Sequence, residues 1–317
     1  MKAQKGFGRF DFVGQINLFG GISLVLTLAS LIYLAIHGIN WGIDFKGGTE
    51  VQIKFAQPTS IDEVRQVMKN VSKTENLGEV SIQSFGGDTS EFVIRFQGEG
   101  KGTEKQQNDE LKKSLDSVKT ALTKDLESKG PEIRRVDTVG PQVGSELKRN
   151  SFLAVFYCLL VILFYVGFRF DYQYAPGAVL CLFHDAVITL AIYNLVGKEV
   201  NVPVLAAVMT LIGYSLNDTI VVFDRIRETV SHYHDKGWGF IINKAINDML
   251  GRTLITSGTV FTSSLCLFIF AEGTVKDIAF VLSIGIFFGT YSSIYVAAPM
   301  IYITDKLRGA KMAQVPA

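Results

Sequence analysis

The sequence has little of what zinc-binding, disulfide-rich or nucleic-acid-binding proteins require. It contains only three cysteines, all of them in apolar runs, so it has neither a disulfide framework nor the spacing of a zinc site. Lysine and arginine total 31 and the acidic residues 30, which gives a net charge of +1. That balance gives no electrostatic case for binding nucleic acid, and we expect no nucleic-acid partner.

Signatures of enzymes are missing as well. The sequence contains no G-x-x-x-x-G-K-[ST] loop for ATP, no G-x-S-x-G nucleophile turn and no H-E-x-x-H motif. Of the four histidines, His232 and His234 lie in a hydrophilic stretch without cysteines or clustered carboxylates. The sequence therefore predicts no catalytic residues, no cofactor and no metal site.

Long apolar runs dominate the chain instead, with 48% hydrophobic and only 19% charged residues. Six segments of about 17 to 25 mainly apolar residues are long enough to cross a bilayer as helices. They are Ile16–His37, Ser151–Phe168, Pro176–Val196, Val202–Phe223, Thr253–Ala271 and Ile278–Ile303. The first is too long for a secretory signal core and no Ala-x-Ala site follows, so we interpret it as a retained anchor. The sequence predicts a polytopic α-helical membrane protein.

Basic residues concentrate on one side of these spans. The alternate short loops hold only Lys198 and Lys276, so the positive-inside rule places residues 1–15 and the tail 304–317 in the cytoplasm. The hydrophilic block 42–149 then falls on the opposite side. The basic residues of the cytoplasmic side are Lys2, Lys5, Arg9, Arg169, Arg225, Arg227, Lys236, Lys244, Arg252, Lys306, Arg308 and Lys311.

The block 42–149 predicts an external α+β domain between the first two spans. Residues 49–55 alternate apolar and polar side chains, as a half-buried strand does, and Ser60 with Glu63 forms a capping box for a helix. Further elements are expected at 79–85 (strand), 86–88 (turn), 91–97 (strand), 103–128 (helix) and 132–139 (strand). The order β-α-β-β-α-β is that of the ferredoxin-like fold, with both helices on one face of an antiparallel sheet.

Two further patterns concern helix packing. Residues 230–250 carry their apolar side chains on one side, which predicts either a cytoplasmic helix lying in the membrane interface or an ordinary packed connector. Gly285 and Gly289 form a G-x-x-x-G face, which lets helices approach closely.

Polar residues cluster inside the third and fourth spans. Asp218 lies six residues before Asp224, about 9 Å inside the membrane boundary, where a carboxylate costs about 2.5 to 3.5 kcal/mol and normally faces protein or water. Asp185 lies about 14 Å deep, and the short connection to the fourth span predicts a hairpin that brings both aspartates to similar depths. The remaining polar residues of these two spans are His184, Tyr214, Ser215, Asn217 and Thr219.

Such a carboxylate can carry protons, because burial favours its neutral form whereas a nearby arginine favours its charged form. We expect Asp218 to be the working residue of a proton relay with Arg252 and Asn217, and we expect Asp185, His184, Ser215 and Thr219 to be secondary. Arg252 can reach inward by snorkelling or serve only as an anchor, and each aspartate can instead make a purely structural contact. Edge residues expected to fix the cytoplasmic end of the fourth helix are Asp224, Arg225 and Arg227.

Five motifs occur in order along this topology, at residues 41–49, 139–147, 182–185, 214–228 and 252–257. The first, which carries Gly42, Asp44, Gly47 and Gly48, is similar to the signature G-[IL]-D-F-x-G-G. Together the motifs make the chain resemble the SecF family, the smaller membrane subunits of the bacterial SecDF protein-export complex within the RND superfamily.

The resemblance implies a twelve-helix unit in which SecD supplies the other six helices. It implies a bacterial inner-membrane protein that assists translocation of unfolded preproteins through SecYEG with the proton gradient instead of ATP. YajC, YidC and membrane lipid are further partners on this basis. It also implies proton conduction by Asp218 and Arg252 and an external domain that changes position during the cycle.

Two other functions are compatible with the residues alone. A half-transporter of the same superfamily would export a lipid or small molecule, but such exporters usually carry two large external loops per pair. A non-conducting scaffold would tolerate replacement of Asp218 by Asn.

Overall fold

The computed structural model describes residues 10–75, 77–78, 80–85, 90–97, 104–170 and 174–302. It contains two compact units. One consists of Asn40–Leu153 with Glu199–Val202, and the other of Met1–Ile39, Ala154–Lys198 and Pro203–Ala317. Sequence predictions that fall on residues 1–9, 79, 86–88, 103 and 303–317 lie outside the described residues.

The described chain contains six helices that are long and apolar enough to cross a membrane. Two of them match the predicted spans to within one residue at each end, α1 (Ile16–His37) and α6 (Ala175–Leu195). The other four are α5 (Pro141–Arg169), α7 (Val202–His232), α8 (Trp238–Phe270) and α9 (Gly273–Ser292). A π-helical turn, Ser293–Ala297, follows α9 and continues the sixth span to Tyr302.

Three of these helices extend beyond their apolar runs. Helix α5 begins at Pro141, ten residues before the predicted span, because proline is well suited to the first position of a helix. Helix α7 continues nine residues past Phe223. Asp224, Arg225 and Arg227 therefore lie inside the helix and do not mark its end. Hydropathy detects the apolar part of a helix, whereas backbone hydrogen bonding continues through polar helix formers.

The segment 230–250 is not a separate helix. Its first three residues end α7, and residues 238–250 form the first turns of α8 without a break. The apolar side chains Ile241, Ile242 and Ala245 have no exposed surface, so they pack inside the protein. This arrangement favours the packed connector over a helix lying in the membrane interface.

The α+β unit contains a four-stranded antiparallel sheet in the order β2-β3-β1-β4. Its strands are β1 (Gly48–Phe55), β2 (Val80–Ser84), β3 (Glu91–Phe96) and β4 (Pro131–Val139). Its helices are the short α2 (Ile43–Lys46), α3 (Ile61–Glu75) and α4 (Glu104–Asp125). Apart from α2, which the sequence analysis missed, the elements follow one another in the predicted β-α-β-β-α-β order.

The core of this unit lies between the sheet and the two long helices. Val51 and Ile53 of β1 alternate inward and pack with Val64 of α3 and Val118 and Leu122 of α4, all without exposed surface. The predicted capping box is present, since the backbone N–H of Ser60 donates to Glu63 at 2.9 Å and the Ser60 hydroxyl accepts from the N–H of Asp62. The inward alternation of Val51 and Ile53 leaves one face of the sheet buried, and this buried face sets the register in which the strands pair.

Candidate functional site

The most densely hydrogen-bonded carboxylate of the helical unit is Asp185 on α6, which has no exposed surface. His184 contacts its Oδ1 through Nδ1 at 2.8 Å. Two hydroxyls donate to Oδ2, that of Ser215 on α7 at 2.5 Å and that of Ser292 on α9 at 2.9 Å. The Cys181 thiol donates to the Ser292 hydroxyl at 3.1 Å. One carboxylate thus joins three helices.

Glycines on α9 allow this close approach. A Cβ added at Gly289 would lie 3.3 Å from the Ser215 Cβ and 3.6 Å from the Asp185 Oδ2, and one at Gly285 would lie 2.3 Å from the side chain of Leu211. The G-x-x-x-G face of the sequence therefore packs against α7 beside the buried carboxylate.

Asp218 is the second buried carboxylate, with 3% of its surface exposed. The Ser257 hydroxyl of α8 donates to its Oδ2 at 2.6 Å. Because Ser215 and Asp218 are three residues apart on α7, they occupy the same side of that helix. Helix α7 therefore connects the two carboxylates, one bonded to α6 and α9 and the other to α8.

Two predicted members of the relay lie outside this site. Arg252 and Asn217 are both exposed, and within the described residues no ion pair involves the Arg252 side chain. The geometry of α8 explains this result. Arg252 precedes Ser257 by five residues, or roughly 140° around a helix with 3.6 residues per turn, so the two side chains leave α8 in different directions. Asn217 is displaced from Asp218 by roughly 100° for the same reason.

Thr219 is buried beside the Asp185 cluster. Its hydroxyl lies 3.7 Å from the Cys181 thiol, and it has no exposed surface. His184, Asp185, Ser215 and Thr219, which sequence reasoning treated as secondary, therefore form the larger of the two polar clusters.

Charged residues in the carboxyl-terminal part of α7 form hydrogen bonds and ion pairs with the first turns of α8. Arg225 donates to Glu228 at 2.7 Å and to Asp248 at 2.6 Å, and Lys244 pairs with Asp248 at 3.3 Å. The Arg225 side chain is 29% exposed, so these bonds are partly shielded from solvent. Asp224 and Arg227 are exposed.

The residues of the first motif have structural positions in the α+β unit. Gly47 and Gly48 have φ of +77° and +136°, and a Cβ at either would lie 2.7 Å from a backbone atom, the Pro141 Cα and the Phe96 carbonyl oxygen. Asp44 accepts from the N–H of Val202 at 2.9 Å, and the Gly42 N–H donates to the Val200 carbonyl at 2.8 Å. Both bonds lie within the unit formed by Asn40–Leu153 and Glu199–Val202.

Sequence reasoning missed Ser257 and Ser292, whose hydroxyls donate hydrogen bonds to Asp218 and Asp185. Both are small polar residues within apolar runs, with 4% and 0% of their surface exposed. Ser257 ends one of the five motifs, and Ser292 lies three residues after Gly289 on the same face of α9. A search for hydroxyls at helical spacing from the glycines would have found Ser292.

The chemistry of the site is that of two carboxylates inside membrane-length helices. Ser257 donates to Asp218, Ser215 and Ser292 donate to Asp185, and among the residues that the structure describes neither carboxylate is paired with lysine or arginine. A buried carboxylate without a cationic partner is costly in its charged form, so gain or loss of a proton changes the contacts between helices.

Comparison with known proteins identifies the class of this molecule. A family model described as protein export membrane protein SecD/SecF, C-terminal, matches residues 118–306, and one described as the SecD/SecF GG motif matches residues 32–59. With its six apolar helices, the chain is thus a polytopic helical membrane protein of the protein-export type.

Similar full-length sequences define the family. The chain is 42% identical to a protein translocase subunit SecF of Calditerrivibrio nitroreducens, covering 96% of this chain and 97% of the relative, and 41% identical to one of Magnetococcus marinus, covering 96% and 94%. A crystal structure of SecDF from Thermus thermophilus, a translocon-associated membrane protein, superposes with a TM-score of 0.79 at 30% identity, over 94% of this chain and 39% of that one. The chain belongs to the SecF family of protein translocase subunits.

Proposed function

We propose that the chain is the SecF-type half of an accessory complex that assists preprotein translocation through SecYEG, driven by the proton gradient. SecD supplies the other half, a pairing supported by the SecDF structure, of which this chain matches 39%. Further partners in this proposal are YajC, YidC, the unfolded preprotein and membrane lipid. The complex lies in the bacterial inner membrane with both termini of this chain in the cytoplasm.

The observation that carries the proposal is the single hydrogen bond between Asp218 and Ser257. It joins α7 to α8 at a carboxylate with 3% exposure, within a helix long enough to cross the membrane. When Asp218 takes up a proton, it loses the charge that the Ser257 hydroxyl stabilises, and the contact between α7 and α8 weakens. One charge moving through 100 mV releases about 2.3 kcal/mol, which is enough to shift a conformational equilibrium nearly fiftyfold.

Arg252 and Asn217 enter the relay only if the helices move. Both are exposed in this conformation, so α8 has to turn relative to α7 before Arg252 reaches Asp218. In the proposal, the rotated state of α8 alternates with the state that contains the Asp218–Ser257 hydrogen bond, because the Asp218 carboxylate exchanges a hydroxyl donor for the Arg252 cation. The ferredoxin-like α+β domain is the external domain, and its change of position accompanies the cycle.

The test is gradient-driven export into inverted membrane vesicles that contain Asp218→Asn. The amide keeps the size and an acceptor for Ser257 but cannot load a proton at neutral pH. Export should fall to the level measured without a gradient, while assembly with SecD is retained. Asp224→Asn, an exposed carboxylate six residues along the same helix, is the matched control and should export normally.

The outcome that contradicts the proposal is normal gradient-dependent export by the Asp218→Asn complex. That result would favour the non-conducting scaffold, which needs only assembly.

A further inference from the structure

We propose that His184 and Asp185 form a second proton-binding site in the membrane helices, which exchanges a proton at the His184 Nε2 through a groove between α1, α6 and the helical residues 295–300. This inference rests on the proposed proton-driven function and adds a site to it.

The histidine is buried and has only one of its two nitrogens engaged. His184 is 3% exposed, its Nδ1 contacts Asp185 at 2.8 Å, and its Nε2 is buried and finds no hydrogen-bond partner among the described residues. An unpartnered buried nitrogen is rare, since most buried polar atoms are bonded. Because the two ring nitrogens lie on opposite sides of the imidazole, Nε2 points away from the carboxylate.

His184 also lines a groove of about 370 Å³ in the helical unit. On α1 the groove runs from Asn17, in the first turn, to Thr27, ten residues or about 15 Å along the helix. His184 lies nine residues into α6, at about 14 Å from its start. The groove therefore extends from the amino-terminal end of α1 to the depth of the histidine.

The charges make the pair suited to binding a proton. With neutral His184, the Asp185 carboxylate is a buried anion held by the imidazole N–H and the Ser215 and Ser292 hydroxyls. A hydronium ion that reaches Nε2 gives its proton to the ring lone pair and leaves as water. The pair then has no net charge, either as an ion pair or after the Nδ1 proton moves to Oδ1 of Asp185, and burial favours that state.

The other titratable groups near the pair lie on α6, α9 and the π-helical turn that follows α9. They are Cys181 on α6, whose thiol is bonded to Ser292, Tyr291 on α9, whose ring lies 6.5 Å from that of His184, and Tyr295, which lines the groove. None of them is cationic, so proton binding at His184 meets no repulsion from these side chains. A proton on the pair changes the bonds to α7 and α9, and α7 carries Asp218.

Two histidine variants separate proton binding from a structural role. His184→Asn places an amide at the position of Nδ1 and keeps the bond to Asp185, but it lacks Nε2 and does not titrate. If His184 had only a structural role, the His184→Asn complex would retain gradient-driven export. The proposal instead expects export to fall at least tenfold in vesicles of phosphatidylethanolamine and phosphatidylglycerol that contain the complex with SecD. Thr189→Val is the control, because Thr189 is a buried residue of α6 whose hydroxyl also meets no partner in the described part of the chain.

Nitrogen-15 NMR of the same reconstituted complex reads the site directly. The chain has only four histidines, so comparison with His184→Asn assigns its signal. Over the pH range in which the complex remains folded, the Nε2 resonance should switch reversibly between its unprotonated and protonated positions. Gly21→Leu should slow this exchange, because a Cβ at Gly21 meets no atom within 4 Å and the larger side chain fills the groove, whereas Ala29→Leu on an exposed part of α1 should not.

The proposal is overturned if the Nε2 resonance stays unprotonated throughout this range, or if His184→Asn exports normally while Asp218→Asn does not. Equal exchange in the Gly21→Leu and Ala29→Leu complexes would refute the groove as the route. Failure of the Asp218→Asn test alone would refute the proton-driven function itself.

Discussion

Ser257 offers the sharpest test of how the buried carboxylate of α7 is held. Its hydroxyl is the donor to Asp218 at 2.6 Å, and both side chains are nearly inaccessible. Hydrogen bonds to charged groups contribute about 1.5–3 kcal/mol, and every 1.4 kcal/mol changes an equilibrium tenfold. Ser257→Ala should therefore change the balance between the charged and neutral states of Asp218 by roughly tenfold to a hundredfold.

The assay is gradient-driven export by the reconstituted complex over a range of pH. The Ser257→Ala complex should reach half of its maximal rate at a pH that differs measurably from that of the parent, and Ser257→Thr, which keeps a hydroxyl, should restore it. Ser263→Ala is the control, since that exposed hydroxyl of α8 donates to the Thr259 carbonyl of the same helix. In an Asp218→Asn background the effect of removing Ser257 should largely disappear, as expected for residues in direct contact.

An unchanged pH profile in Ser257→Ala would refute this reasoning. So would an effect of Ser257→Ala that is equally large with Asp and with Asn at position 218, because the two changes would then be independent.

Two other substitutions test how glycine positions the elements. Gly47→Ala should destabilise the α+β unit by about 1–3 kcal/mol, since φ is +77° and the new Cβ would lie 2.7 Å from a backbone atom. Faster hydrogen exchange in β1 would confirm this loss of stability. Gly213→Ala is the control, because no atom lies within 4 Å of a Cβ at that position. Gly289→Val should separate α9 from α7 at a cost of about 1–3 kcal/mol, because the Ser215 Cβ lies 3.3 Å from the new Cβ. The complex should then unfold at a lower temperature. An unchanged unfolding temperature would contradict the packing described.

Much of the architecture could be predicted from periodicity. The six apolar runs locate the six long helices, and alternation in β1 with the helical stripe of α3 predicts the element order of the α+β unit. The ends of the helices were harder to predict, because the polar first turns of α5 and the charged last turns of α7 carry no hydropathic signal. The same limit made residues 230–250 resemble a separate surface helix, although their apolar side chains pack inside the protein.

The sequence by itself determined that two carboxylates lie within membrane-length helices, because an aspartate in an apolar run is visible without any structure. Only the tertiary structure decided their partners, Ser257 for Asp218, and His184, Ser215 and Ser292 for Asp185. Helical spacing gives the side of its own helix from which a residue projects. Which neighbouring helix meets that side depends on packing among distant segments, and that is why Arg252 is exposed while Ser257, five residues further along α8, donates to the Asp218 carboxylate.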